Sequence, residues 1–271
     1  MGKTQIYNIV KAFVYLSKKL LLMFPIGDDN VKGGPFPFFS YLFILINVLV
    51  YFVIEVPALT SDSTATLFFE QWAGQACELS KGESLITLLT SIFLHGSLMH
   101  LGGNMIFLWV FGDNIESTIG NLKFAFFYLV GGVIATYTHV FLAGATDCTP
   151  LVGASGSIAA VLGAYLVMFP KSRIKLWFIL FSYKISAIFF LGFWLIQQFS
   201  GIGVKDIPGG GDNVAYWAHI GGFVFGIIAG FLFKGTTRLV MLENGEQEYH
   251  TLAYQPHRYN NRVNLAKFFK G

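Results

Sequence analysis

Six stretches of the chain are apolar over close to the twenty residues that a helix needs to cross a bilayer, and no other feature narrows its folds as far. Only 12% of its 271 residues are charged, about half the usual share, which is too few to clothe a water-facing surface. The chain is therefore read as an all-α, multi-pass membrane protein. Spans are expected at residues 38–56, 98–112 running on toward Glu116, 124–142, 153–169, 176–199 and 214–233. Six helices between two polar ends divide it into an N-terminal segment (1–37), a membrane core (38–234) and a tail (235–271).

In the N-terminal segment Lys11, Lys18 and Lys19 interrupt an apolar stretch, and no small-residue cleavage site follows. An interfacial helix on the cytoplasmic leaflet fits it, a flexible tail fits the composition equally, and the chain is expected to begin at Met1. Residues 57–83 form an acidic loop, and residues 85–94 are too short to cross, so they are expected to dip into the interface. Lysines and arginines gather in the loops on the side of both termini: Lys123, then Lys171, Arg173 and Lys175, then the tail. Both termini are therefore expected to be cytoplasmic, with Lys184 left inside the fifth span. A net charge of +3, with no basic stripe interleaved with aromatics, makes no case for nucleic acid. Cys77 and Cys148 fall in outer loops; one bridge is conceivable, but without a distance between them free thiols are the favoured reading.

With that orientation spans two, four and six run parallel, and three polar positions lie at similar shallow depth. Ser155, flanked by Gly153 and Gly156, heads a smooth face with Ala159 and Gly163. His219 heads another with Gly222, Gly226 and Gly230, which are read as helix packing. His100 and Asn104 share one face of the second span. Taken singly, Ser155 is most simply packing, His219 is a satisfied interior histidine or a pore group, and His100 and Asn104 fit a stitch between helices and a functional role equally. Together they supply a nucleophile, a base that takes its proton near pH 7, and donors for an oxyanion, with the Ser155 backbone N–H as a further donor. No acid is placed to orient His219, so the set reads as a dyad. Ser157 is a rival nucleophile, but on a helix it faces about 200° away from Ser155. The soluble-hydrolase elbow fails at Ser157, and a zinc protease would need His95, His100 and His219 to converge with no carboxylate, so no metal is expected.

These residues resemble the rhomboid family of intramembrane serine proteases. The likeness rests on Gly153-Ala154-Ser155-Gly156, on Ala218-His219 with its three glycines, and on His95, His100 and Asn104. It also takes in Phe111-Gly112-Asp113-Asn114-Ile115-Glu116 and the Asp28-Asp29-Asn30 lead-in, over about residues 25–235. The resemblance implies a six-helix core with Ser155 as nucleophile and His219 as base. His100 and Asn104 would be oxyanion donors, and His95 and Gly153 would be supports. It implies no cofactor and no metal. The partners would be single-span membrane proteins, cut where a helix unwinds easily after a small residue, in the lipid bilayer of a prokaryotic cell membrane.

Two positions depart from the family pattern. Gln71-Trp72-Ala73 stands where a Trp-Arg pair is common, and Ala159 stands where some members stack a tyrosine on the base, leaving Trp217 or another aromatic to hold the His219 ring. Gly201, Gly203 and the run 208–211 read as a pliable lid over His219. A non-catalytic relative that binds membrane helices would have dropped the serine or the histidine. A channel or transporter would carry carboxylates at mid-membrane, where this chain has almost none.

Overall fold

The structure is a computed structural model that describes residues 24–32, 34–178, 181–205, 214–235, 237–241 and 247–251. The expected interfacial helix and residues 208–211 of the expected lid lie outside these residues. A short strand β1 (Phe24–Gly27) precedes helix α1 (Phe38–Ala58), which widens to a π-helix over Val50–Glu55. The first amides of α1 are satisfied from another helix. The Glu116 carboxylate accepts the Phe39 and Ser40 N–H groups at 2.8 and 2.7 Å and the Ser40 hydroxyl at 2.7 Å.

The loop after α1 folds into short helices α2 (Asp62–Trp72), α3 (Ala76–Leu79) and α4 (Thr87–Thr90), the last running into a 3₁₀ turn at Ser91–Phe93. Helix α5 (Leu98–Ile119) begins where the Ser97 hydroxyl accepts the His100 N–H at 3.2 Å, and it ends at Gly120, whose φ of +92° lets the chain turn at once into α6 (Asn121–Ala143). Helix α7 (Ser155–Met168) follows Gly153, which has φ +120°.

The expected fifth span is corrected here. Residues 173–186 form a hairpin of β2 (Arg173–Phe178) and β3 (Phe181–Ser186), with β1 pairing antiparallel on the other edge of β2. Its sequence alternates: Ile174 and Leu176 are buried while Arg173, Lys175 and Trp177 are exposed, the period-two pattern of a strand. The helix α8 (Ala187–Lys205) starts only afterwards, and Lys184 sits on β3 with its ammonium 3.7 Å from Asp29. Helix α9 (Tyr216–Gly235) and a second hairpin, β4 (Thr237–Met241) with β5 (Gln247–Thr251), complete the described chain.

The protein is thus mostly helical with small sheets. Among the described residues three helices, α1, α6 and α9, are long and apolar enough to cross a membrane; α7 and Ala187–Ile202 are apolar but shorter. Phe126 and Phe141 on α6 and Phe231 and Leu232 on α9 are 62–86% exposed, an apolar exterior suited to lipid.

Helices α7 and α9 meet backbone to backbone. A Cβ at Gly226 would overlap the Ala160 carbonyl oxygen, one at Gly222 the Gly156 carbonyl oxygen, and one at Gly163 the Phe223 carbonyl oxygen; at Gly230 it would stand 3.0 Å from Ala164 Cα. Only hydrogen in place of a side chain allows this approach.

The expectation of free thiols is overturned: Cys77 and Cys148 form a disulfide, with Cα atoms 5.1 Å apart. Gly74 and Leu151 pair as a β-bridge beside it, and the Cys77 N–H donates to the Asp147 carbonyl at 2.9 Å, so backbone pairing brings the sulfurs together. The bridge ties the loop that carries α2 to α4 to the segment that leads into Ser155. Because that pairing already restrains the loop, the bridge is expected to add about 2 kcal/mol, the lower end for a disulfide. Cys148→Ser should lower the thermal midpoint in detergent by about 4–8 °C. Reductant should do the same to the wild-type chain and nothing to the variant.

Candidate active site

Ser155 is the first residue of α7, and His219 lies in the first turn of α9, so the glycine seam between the two helices sets the separation of their heads. His219 Nε2 lies 2.9 Å from Ser155 Oγ. Both residues are half-buried. Being first in its helix, Ser155 has a backbone N–H without an intrahelical acceptor, at the positive end of the α7 dipole.

Above this helix start sit the two residues from α5. A Cβ built on Gly153 would stand 2.8 Å from His100 Nε2 and 3.4 Å from Asn104 Nδ2, so the absent side chain leaves room for both donors over the chain entering Ser155. The Asn104 amide gives one hydrogen to His95 Nε2 at 2.9 Å and keeps the second for this space. His95 is wholly buried; burial first, and then the His100 ring, push its imidazole down to about 3, so it stays a neutral acceptor for Asn104. Its own backbone N–H donates to the Glu55 carboxylate at 2.8 and 3.0 Å. Gly153 N–H is held by the Ser91 carbonyl at 2.9 Å. Supports from α1, the loop after it and α5 therefore converge on the strip beside Ser155.

Three neighbours of His219 were not named from the sequence. Gln198 on α8 accepts its Nδ1–H at 2.7 Å, and the Trp194 ring, one turn earlier on α8, lies 6.0 Å from the imidazole at 37°. Tyr216 meets the imidazole edge-on at 6.4 Å. These rings, rather than Trp217, flank the base where Ala159 supplies none. The signal in the sequence was slight: Gln197-Gln198 is a polar step inside an apolar helix.

Ser157 is buried, with its hydroxyl packed where a Cβ on Gly132 of α6 would fall, away from His219. Gly201 and Gly203 belong to α8 rather than to a loop, and a Cβ at Gly201 would strike the Tyr216 ring, so Gly201 makes room for an aromatic neighbour of the base.

Comparison with known proteins gives one family match: the Rhomboid domain model covers residues 82–235, from the end of the loop after α1 to the end of α9. Among curated proteins, "Presenilin-associated rhomboid-like protein A, mitochondrial" of Danio rerio is 32% identical over 52% of this chain and 36% of its own. "Rhomboid protease GluP" of Bacillus subtilis is 30% identical over 71% of this chain and 34% of its own. "Rhomboid protein 1, mitochondrial" of Saccharomyces cerevisiae is 29% identical over 55% of this chain and 42% of its own. The matches thus cover less than half the length of these relatives. Because mitochondrial proteins stand beside the bacterial one, the expectation of a prokaryotic cell membrane reduces to integral membrane placement.

Proposed function

The chain belongs to the rhomboid family, and from that premise we propose that it is an intramembrane serine endopeptidase working through a Ser155–His219 dyad. One observation carries the proposal: an alcohol and an imidazole 64 residues apart, on two helices, stand 2.9 Å from each other at a half-buried site.

In the reaction, Ser155 Oγ attacks the scissile carbonyl as its proton passes to His219 Nε2. The oxyanion lies toward the Ser155 N–H, Asn104 Nδ2 and His100, donors fixed before charge develops. His219 then gives its proton to the departing amine nitrogen, leaving an acyl-serine. A water molecule, deprotonated by His219, attacks the ester and restores the Ser155 hydroxyl. Substrates are membrane proteins with a single span, because a scissile carbonyl must leave its helix to reach Ser155, and a lone helix is freest to unwind.

The core is proposed as residues 38–234. Helices α5, α7 and α8 cross with α1, α6 and α9, and both termini lie on the cytoplasmic side, or on the equivalent face of an organelle membrane. Helix α7 is short for a span, about 21 Å, which fits an active serine set below the outer surface.

A fluorophosphonate probe added to the protein in liposomes tests the reading. The expected result is a covalent adduct on the peptide containing Ser155, absent after His219→Ala. Labelling at Ser157, or at Ser155 with undiminished rate in His219→Ala, would overturn it.

A further inference from the structure

We propose that Gln198 is a positioning residue that fixes the tautomer of His219, so that a helix neighbouring the dyad does the work an acid performs in a triad. This rests on the proposed dyad.

Three hydrogen bonds in series make the argument. The Trp194 carbonyl can only accept, and Gln198 Nε2 donates to it at 3.1 Å. The amide is thereby oriented with Oε1 toward His219, 2.7 Å from Nδ1. Oε1 can also only accept, so Nδ1 must carry the proton. Nε2 is then left with a lone pair facing Ser155 Oγ at 2.9 Å, the arrangement a general base needs. The reverse tautomer would set Nδ1 lone pair against Oε1 lone pairs in a buried place, since Gln198 is 7% exposed. A neutral amide orients the ring without the negative charge that would stabilise the imidazolium. The Trp194 ring beside the imidazole comes from the same turn of α8, so one helix holds both the plane and the protonation of the base.

The test compares wild type, Gln198→Met and Gln198→Glu on a labelled single-span substrate in liposomes, with Ser155→Ala and His219→Ala as controls. Methionine keeps the length and the packing but removes the acceptor. It should lower kcat by on the order of 10- to 100-fold with KM unchanged, short of the ~10⁴-fold lost when a triad histidine takes the wrong tautomer. Glutamate restores an acceptor and adds charge. It should recover most of kcat and move the acidic limb of the kcat/KM profile to higher pH, because the carboxylate favours protonated His219. The other titratable groups near His219, namely His100 on α5, His139 on α6 and Tyr216 on α9 itself, are the same in all variants, so a shift belongs to position 198.

Wild-type kcat in Gln198→Met would overturn the proposal. If that variant fails to fold, an unmoved limb in Gln198→Glu overturns it alone. Inactive Ser155→Ala and His219→Ala beside unaffected Gln198 variants would leave the dyad and remove only this inference; active controls would remove both.

Discussion

Ser155→Ala and His219→Ala should each abolish cleavage of a single-span substrate in liposomes, with losses on the order of 10⁴- to 10⁶-fold in kcat and no further loss in the double variant. In the proposed mechanism the two groups act as one device. Without the imidazole the hydroxyl keeps its proton, and without the hydroxyl the imidazole has no nucleophile to activate, so the second deletion removes nothing the first has left. Asn104→Ala should fall between wild type and these, on the order of 10²- to 10³-fold, because the Ser155 N–H and His100 continue to face the oxyanion. Thermal midpoints of the serine and histidine variants should stay near wild type, since both residues are half-buried and neither lies in the glycine seam. Cleavage unaffected by either substitution would end the dyad reading.

What could be read in the sequence, and what could not, divides along a physical line. Ser155 and His219 were visible because each heads a run of small residues, a pattern that survives without knowledge of the partner. The structure places these heads 2.9 Å apart. His100 and Asn104 were visible as a pair one turn apart, and both lie against Gly153. Residues that matter only through a tertiary contact were not legible. Glu55 lies inside the expected first span and carries no motif that marks it, yet it is wholly buried and holds the His95 backbone. Gln198 was passed over because nothing on its own helix says that an imidazole will arrive 21 residues later. The hairpin was lost for a different reason: residues 176–181 read as one apolar run, and such a run cannot by itself tell a strand from part of a span. The two cysteines required a distance, which the Gly74–Leu151 pairing supplies.

Gly226→Val should be the most damaging substitution away from the reacting atoms. A single Cβ at this position already overlaps the Ala160 carbonyl oxygen and stands 2.7 and 2.8 Å from its carbon and Cα, and all three are backbone atoms of α7 that no rotamer change can move. The helices must part, and the opposing contact, where Gly163 takes the Phe223 carbonyl and the Ile227 nitrogen, opens with them. The expected cost is above about 3 kcal/mol, beyond the usual range for overpacking, and the thermal midpoint in detergent should fall by about 10 °C. Gly192→Ala is the control: on α8 a Cβ at that position meets nothing within 4 Å, and alanine favours the helix, so stability should hold or rise slightly. The loss at Gly226 should also reach the chemistry. Gly226 lies seven residues beyond His219, about 10.5 Å along the axis, and α7 carries Ser155 at its head, so helices wedged apart at the seam cannot keep a hydrogen bond of 2.9 Å above it. Fluorophosphonate labelling of the variant that remains folded should therefore drop more than tenfold. Undiminished labelling with an unchanged midpoint would show that the glycine seam is not what holds the serine to the histidine.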